Sequence, residues 1–313
     1  MPVRHLNKKN KLVLFASSMI VIPAINQLLQ TGQLAGVIVP NRQEPGTQHL
    51  VQQLQQAGIP FQVYLNEQPD HILPVIDQWQ ADAGLIYTFP SLLPGSIRQA
   101  FRFGLYNLHA SPLPRYRGAM PLYWQIRNGE TQTSLTIIQT EDEADSGDIV
   151  LQQPLPIHDR DTLNTLANTM AAQAPGLILE FLEKLASEEL HPVPQEGEPT
   201  LAPMPKPEDL VVDWNAMTSA EISAMAKAGN PQFNGAVVIW RQSHIALMQA
   251  TSVAHPKYGV EPGTILHIGE PEGMIVATVD GALRLDIIMV TEGLFSGLAF
   301  AERFNLDAGM QFS

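Results

Sequence analysis

The chain has 313 residues, 45% of them hydrophobic, with 18 Lys and Arg against 31 Asp and Glu, a net charge of -13 and a pI near 5.0. That length supports two cores, one large and one small, while the acidic field works against nucleic acid and anionic membrane unless a local basic patch overrides it. Cysteine is absent, which excludes disulfides, thiolate nucleophiles and cysteine-ligated metals, so the chemistry must come from His, Asp, Asn or a bound cofactor. No apolar run reaches the about 18 residues of a membrane span. The basic N-terminus (Arg4, Lys8, Lys9, Lys11) runs straight into a strand-like segment, without the apolar core and small-residue cleavage site of a signal peptide. No membrane partner and a cytoplasmic location are therefore expected.

In chain order, short apolar runs alternate with amphipathic ones. Strands are predicted at 11–15, 34–39, 61–65, 83–87 and 104–109, and helices at 19–29, 46–57, 71–79 and 96–101. Such alternation predicts an α/β fold: an open, mostly parallel, Rossmann-like sheet with helices on both faces. A helix at 120–128, strands at 134–139 and 148–154 and a long helix at 162–187 complete a first domain spanning 1–187. Residues 188–207 hold Pro192, Pro194, Pro199, Pro203, Pro205 and Pro207, a density that precludes a regular element and predicts an extended linker. Beyond it, a helix at 219–228 and strand-like pieces at 236–240, 244–250, 263–267, 274–278 and 283–290 predict a small C-terminal β-barrel, OB-like, over 208–313.

Dinucleotide binding is excluded because Phe15-Ala-Ser-Ser-Met19 lacks the glycines that let a backbone approach a pyrophosphate. The polar cluster lies instead at the end of the 104–109 strand. In an open parallel sheet ligands bind outside the carboxyl ends of strands, and Asn107 and His109, two apart, point to the same side. The loop Thr140-Glu-Asp-Glu-Ala-Asp-Ser-Gly-Asp148 brings carboxylates toward the same edge, with Gly147 permitting a tight turn behind Asp145. An Asn donor, a titratable His and an Asp suit acyl transfer to an amine. On the residues alone, a structural His and a solvated acidic loop stay open as alternatives.

The run Asn107-Leu-His-Ala-Ser-Pro-Leu-Pro-Arg-Tyr-Arg-Gly-Ala-Met-Pro121, followed by Ala144-Asp-Ser-Gly-Asp-Ile149, resembles the signature of the folate-dependent formyltransferases. The linker and small C-terminal domain resemble the layout of the branch that acts on methionyl-tRNA. The resemblance implies that Asn107 binds the formyl oxygen, that His109 serves as general base or oxyanion donor, and that Asp145 orients His109. It leaves open which of His109 and Asp145 takes the amine proton. It also implies 10-formyltetrahydrofolate as formyl donor, held by one loop with Tyr87, Thr88, Phe89 and Leu92 and another with Glu141, Asp142 and Ala144. Substrate contacts would fall on Ser111, Arg115, Arg117 and Gly118, and no metal is expected.

The sequence departs from that family pattern in three places. Pro112 stands where the family has leucine, which stiffens the loop. The loop Pro40-Asn-Arg-Gln-Glu-Pro-Gly46 is short, whereas the tRNA enzymes have a long basic one there. Between Glu208 and Ser313, five basic residues (Lys227, Arg241, Lys257, Arg284, Arg303) face twelve acidic ones, 5 - 12 = -7, and a domain that tracks a phosphate backbone needs clustered Lys and Arg. A small-molecule or carrier-bound amine, of amino sugar nucleotide or amino acid type, is therefore the expected acceptor, with initiator methionyl-tRNA as the alternative. A 10-formyltetrahydrofolate hydrolase and a silent folate-binding module are the alternatives of other classes. Arg117 has two readings of equal weight: an anion clamp for substrate or a pairing partner of the acidic 141–148 loop. The C-terminal domain is open to two roles, substrate binding or self-association. His49, His71, His158, His191, His244 and His267 have no ligand-like spacing.

Overall fold

The computed structural model describes residues 9–257 and 259–313; Arg4 and Lys8 lie outside them. Two compact units interleave along the chain. One gathers residues up to 119, 133–155 and 167–201, and the other 120–132, 156–166 and 202–313.

In chain order the first part of the protein runs β1 (Leu12–Phe15), α1 (Ile22–Thr31), β2 (Leu34–Pro40), α2 (Pro45–Gln56), β3 (Phe61–Tyr64), α3 (Leu73–Trp79), β4 (Ala83–Ile86), α4 (Gly95–Arg98) and β5 (Leu105–His109). It continues with α5 (Pro121–Arg127), β6 (Gln132–Gln139), β7 (Ile149–Pro156) and α6 (Leu163–Ala186). The seven strands form one sheet in the order β3-β2-β1-β4-β5-β6-β7. Pairing is parallel from β3 through β5, and β6 lies antiparallel to β5. The mostly parallel α/β sheet expected from the alternating pattern is thus present. Chain order reverses between β1 and β4, which opens a crevice at the carboxyl ends of the strands.

All four residues of β1 are fully buried, as befits a central strand covered on both faces. Gly84 on β4 makes room for packing, because an added Cβ would lie 2.6 Å from the Leu105 side chain and 2.7 Å from that of Phe101, and these would have to shift. The stripe Ala174, Leu177, Ile178, Phe181, Leu182 and Leu185 of α6 is buried at helical spacing. Its Phe181 ring meets Tyr106 of β5 edge-on at 4.7 Å, so this helix pins the strand that carries Asn107 and His109.

In the second unit follow α7 (Ser219–Gly229), β8 (Ala236–Trp240), β9 (Ser243–Val253), β10 (Ile265–Gly269), β11 (Gly273–Ala277), β12 (Ala282–Val290), β13 (Gly293–Ser296) and α8 (Gly297–Phe304). Where a small OB-like β-barrel is expected, the strands form an antiparallel sheet ordered β10-β11-β12-β9-β8, with β13 beside β12. Trp214, Met225, Val238, Leu247, Leu285 and Phe300 belong to its core.

Candidate active site

β5 ends at the edge of the crevice with Asn107 half-buried and His109 buried. Asn107 is paired across the sheet with Ile86 and Ile138, and His109 with Thr136, so both strands flanking β5 hold the pair in register. From the 140–148 loop Asp145 reaches both. Its Oδ1 accepts from Asn107 Nδ2 at 2.9 Å and lies 3.5 Å from His109 Nδ1, and its Oδ2 accepts from the Gly118 amide at 2.8 Å. The side chains of His109 and Asp145 are only 7% and 10% exposed, and interactions between such groups are weakly screened. His109 Nε2 faces the Tyr116 carbonyl at 2.9 Å. A carbonyl only accepts, so Nε2 carries a hydrogen, and Nδ1 is left to the Asp145 carboxylate.

Three residues around this edge hold left-handed backbone despite having side chains: Thr88 (φ 66), Tyr116 (φ 63) and Asp145 (φ 58). Such conformations cost roughly 1–3 kcal/mol each and persist where surroundings over-determine them. Gly147 differs from its expected role. It is absent from the positive-φ residues, but an added Cβ would stand 1.9 Å from the Gln139 carbonyl oxygen, so glycine serves close backbone approach here.

The remaining expected site residues divide by environment. Ser111 is fully buried and donates to the Arg115 carbonyl at 2.7 Å, while its own carbonyl accepts from Thr136 at 2.6 Å; these are contacts that shape the loop. Arg117 donates through Nε and Nη2 to Gln195 Oε1 at 3.2 and 2.7 Å and lies 4.0 Å from Glu143, which matches the loop-holding alternative. Arg115 is exposed, with its guanidinium 5.1 Å from the centre of the Tyr116 ring. Gly118 contributes its amide to Asp145.

A cleft of about 410 Å³ is lined by Tyr64, Asn66, Pro69, Leu92, Arg98 and Asp142, together with residues 91, 93 and 94. Of the seven residues expected to hold the donor, Leu92 and Asp142 line it, and Arg98 is ion-paired with Asp142 across it. Tyr87 is buried, and burial pushes its hydroxyl pKa up. Phe89 packs edge-on against Phe15 and Tyr64. Thr88, Glu141 and Ala144 are exposed on the two loops, with the Thr88 carbonyl accepting from Ser17. Sequence reasoning missed Tyr64, Asn66, Pro69 and Arg98, which come from β3, the turn after it and α4. It also missed Gln195 and Thr200, whose proline-rich surroundings carry no catalytic signal. Among the described residues no helix is long and apolar enough to cross a membrane, and no group of three or more His, Asp and Glu gathers as a metal-ligand set.

Residues 10–182 match the family described as formyl transferase, and residues 205–295 match the formyl transferase C-terminal domain. The chain belongs to the formyltransferase family. A methionyl-tRNA formyltransferase from Synechococcus sp. (strain JA-3-3Ab) is 31% identical to this formyltransferase over 291 residues, covering 88% of this chain and 89% of the relative. Among solved structures it resembles HypX from Aquifex aeolicus in complex with tetrahydrofolic acid, with a TM-score of 0.61 and 18% identity over 95% of this chain and 48% of HypX. It also resembles an N-formyltransferase from Helicobacter canadensis in complex with folinic acid and dTDP-3-aminofucose, with a TM-score of 0.60 and 17% identity over 88% and 98% of the two chains. This formyltransferase spans about half the length of HypX, and at these identities the structural likeness shows a shared fold.

Proposed function

We propose that this formyltransferase moves the formyl group of 10-formyltetrahydrofolate to the primary amine of a small or carrier-bound substrate, with Asn107, His109 and Asp145 as its catalytic group. The 410 Å³ cleft suits the donor, because apolar Pro69, Leu92, Leu93 and Pro94 suit a flat heterocycle. The donor supplies an activated formyl carbon attached to a nitrogen leaving group. Asn107 Nδ2 uses one hydrogen on Asp145 and directs its second at the formyl oxygen, where negative charge develops as the amine adds. The Asp145–His109 pair takes the proton that the amine loses and delivers it to the departing nitrogen. Formamide and tetrahydrofolate leave, and the pair returns to its starting protonation.

The observation that carries the acceptor reading is the state of the five cationic side chains of the C-terminal domain. Lys227 and Lys257 donate to main-chain carbonyls, Arg284 pairs with Asp286, and Arg241 and Arg303 lie over Trp240 and Phe304. Side chains so engaged, within a domain of charge 5 - 12 = -7, supply no basic track for a phosphate backbone. Initiator methionyl-tRNA is the second reading, favoured by the relative that aligns over 89% of its own length. A cytoplasmic location accords with either acceptor.

Formylation assays over an amino sugar nucleotide, a hydroxyornithine-like amino acid, a carrier-bound aminoacyl group and initiator methionyl-tRNA test the acceptor. Efficient use of the tRNA overturns the small-amine reading. His109→Ala and Asp145→Ala are each expected to abolish transfer while leaving binding of the folate donor near wild type, measured by calorimetry; wild-type turnover in both sinks the catalytic assignment. Rapid stoichiometric formate release without an amine would instead make the enzyme a hydrolase.

A further inference from the structure

Between residues 191 and 200 the one residue that is not exposed is Gln195. Its Nε2 donates to the main-chain carbonyls of Asp145 and Gly147, both at 2.8 Å, while Oε1 accepts from Arg117 Nε and Nη2 at 3.2 and 2.7 Å. Two donors and two lone pairs are the whole capacity of a glutamine amide. Its orientation is fixed, because carbonyls only accept and a guanidinium only donates. On one side of Gln195, Val193 pairs with Ile149, just beyond the acidic turn. On the other, Thr200 Oγ1 accepts from the Tyr116 amide at 2.8 Å and the Thr200 carbonyl from the Arg117 amide at 2.8 Å.

These bonds fall on backbone that is held away from its preferred conformation. Asp145 (φ 58) and Tyr116 (φ 63) are left-handed, a state that is unfavourable for a residue with a side chain. Rotation of Asp145 back to ordinary φ would swing its carboxylate off Asn107 Nδ2 and the Gly118 amide. Gln195 opposes that rotation by gripping the carbonyl of Asp145 itself and that of Gly147. The carbonyl of Tyr116, whose amide Thr200 holds, in turn fixes His109 Nε2. Both nitrogens of the His109 ring are therefore oriented by residues that this proline-rich segment secures.

We propose that Gln195 is a positioning residue for formyl transfer, a part of the site supplied by the segment that joins the two family-matched regions, which holds Asp145 in the conformation that engages Asn107 and His109. The proposal rests on the catalytic reading of Asn107, His109 and Asp145 given above.

Gln195→Leu removes all four hydrogen bonds at near-constant volume. Gln195→Glu keeps an acceptor for Arg117 but sets a carboxylate oxygen against two carbonyls. Both variants of the full chain are read by the ring ¹⁵N resonances of His109, with Asp145→Asn as reference. They are also read by turnover of 10-formyltetrahydrofolate with dTDP-3-aminofucose and with initiator methionyl-tRNA. Both are expected to shift the His109 resonances as Asp145→Asn does and to lower kcat roughly 10- to 100-fold, with KM for the donor within about twofold of wild type. Equal loss in the Leu and Glu variants assigns the effect to the carbonyl grip, and recovery of wild-type values by Gln195→Glu overturns it in favour of Arg117 alone. The proposal also fails if Asp145→Asn moves the resonances while both Gln195 variants leave them in place and lower only the melting temperature. If Asp145→Asn itself leaves them in place, the reading of the Asp145–His109 pair falls, and the proposal with it.

Discussion

At Gly147 the Cβ of any other residue would meet the Gln139 carbonyl oxygen at 1.9 Å and its carbon at 2.8 Å. Backbone cannot yield there as a flexible side chain would, so the acidic turn must move. Gly147→Ala is accordingly expected to cost roughly 1–3 kcal/mol of stability and, by displacing Asp145, about 100-fold in kcat. Thermal melts and turnover check the two losses separately, and an alanine variant with wild-type turnover would show that the turn is not coupled to Asp145. The sequence marked Gly147 as special for a different reason, the freedom to turn. Local pattern shows that a glycine matters, but the carbonyl it must clear belongs to β6, across the loop. Asn107 and His109 are better placed for sequence reasoning, because their shared side follows from the two-residue repeat of a strand.

Among the elements, prolines explain the displaced helix starts. Pro23 and Pro74 are the second residues of α1 and α3, each helix being preceded by a 3-10 turn, and α2 begins on Pro45 itself. A residue without an N–H is tolerated only in the first turn, so the apolar period alone sets these boundaries wrongly by up to three residues. α8 was not foreseen. Its start is signalled by Ser296, which accepts from the Ala299 amide, but eight residues are too few for a period to stand out. α7 shows the full capping box: Thr218 accepts from the Glu221 amide and Glu221 accepts from that of Thr218. Thr218→Ala should cost about 1 kcal/mol by chemical denaturation.

The same helix start carries a pH dependence. Hydrogen bonds from the Thr218 backbone and side chain hold the Glu221 carboxyl below its ordinary pKa, and the Ser219 amide, with the Thr278 hydroxyl, does the same for Asp280. A depressed folded pKa contributes stability that is full above the unfolded values of about 4 and is lost as pH falls through the folded ones. Acid titration of the melting temperature should show a shallower decline below about pH 4 in Thr218→Ala than in wild type. Parallel curves would remove the Thr218 hydroxyl from the account, leaving the backbone amide as the group that holds Glu221 down. Both carboxyls are exposed, so the effect is modest.

At the scale of the whole molecule, the net charge of -13 bears on the acceptor more than on the fold. Transfer to a small amine should change by less than about twofold in kcat/KM between roughly 50 and 200 mM salt, whereas an enzyme that neutralises several tRNA phosphates loses orders of magnitude over that range. A steep salt dependence with the preferred acceptor would contradict the charge argument.

The sequence by itself determined the strand and helix alternation, a small strand-rich C-terminal domain and the presence of Asn107 and His109 on one side of a strand end. Each of these follows from local periodicity, which is written in neighbouring residues. Only the tertiary structure decided that Asp145 turns left-handed to meet both side chains, that Arg117 braces the loop, and that Gln195 grips the turn from a proline-rich stretch 50 residues along the chain. Those contacts join segments whose composition carries no record of their partner. They exist because the sheet brings the carboxyl ends of its strands, and the loops that follow them, to one edge.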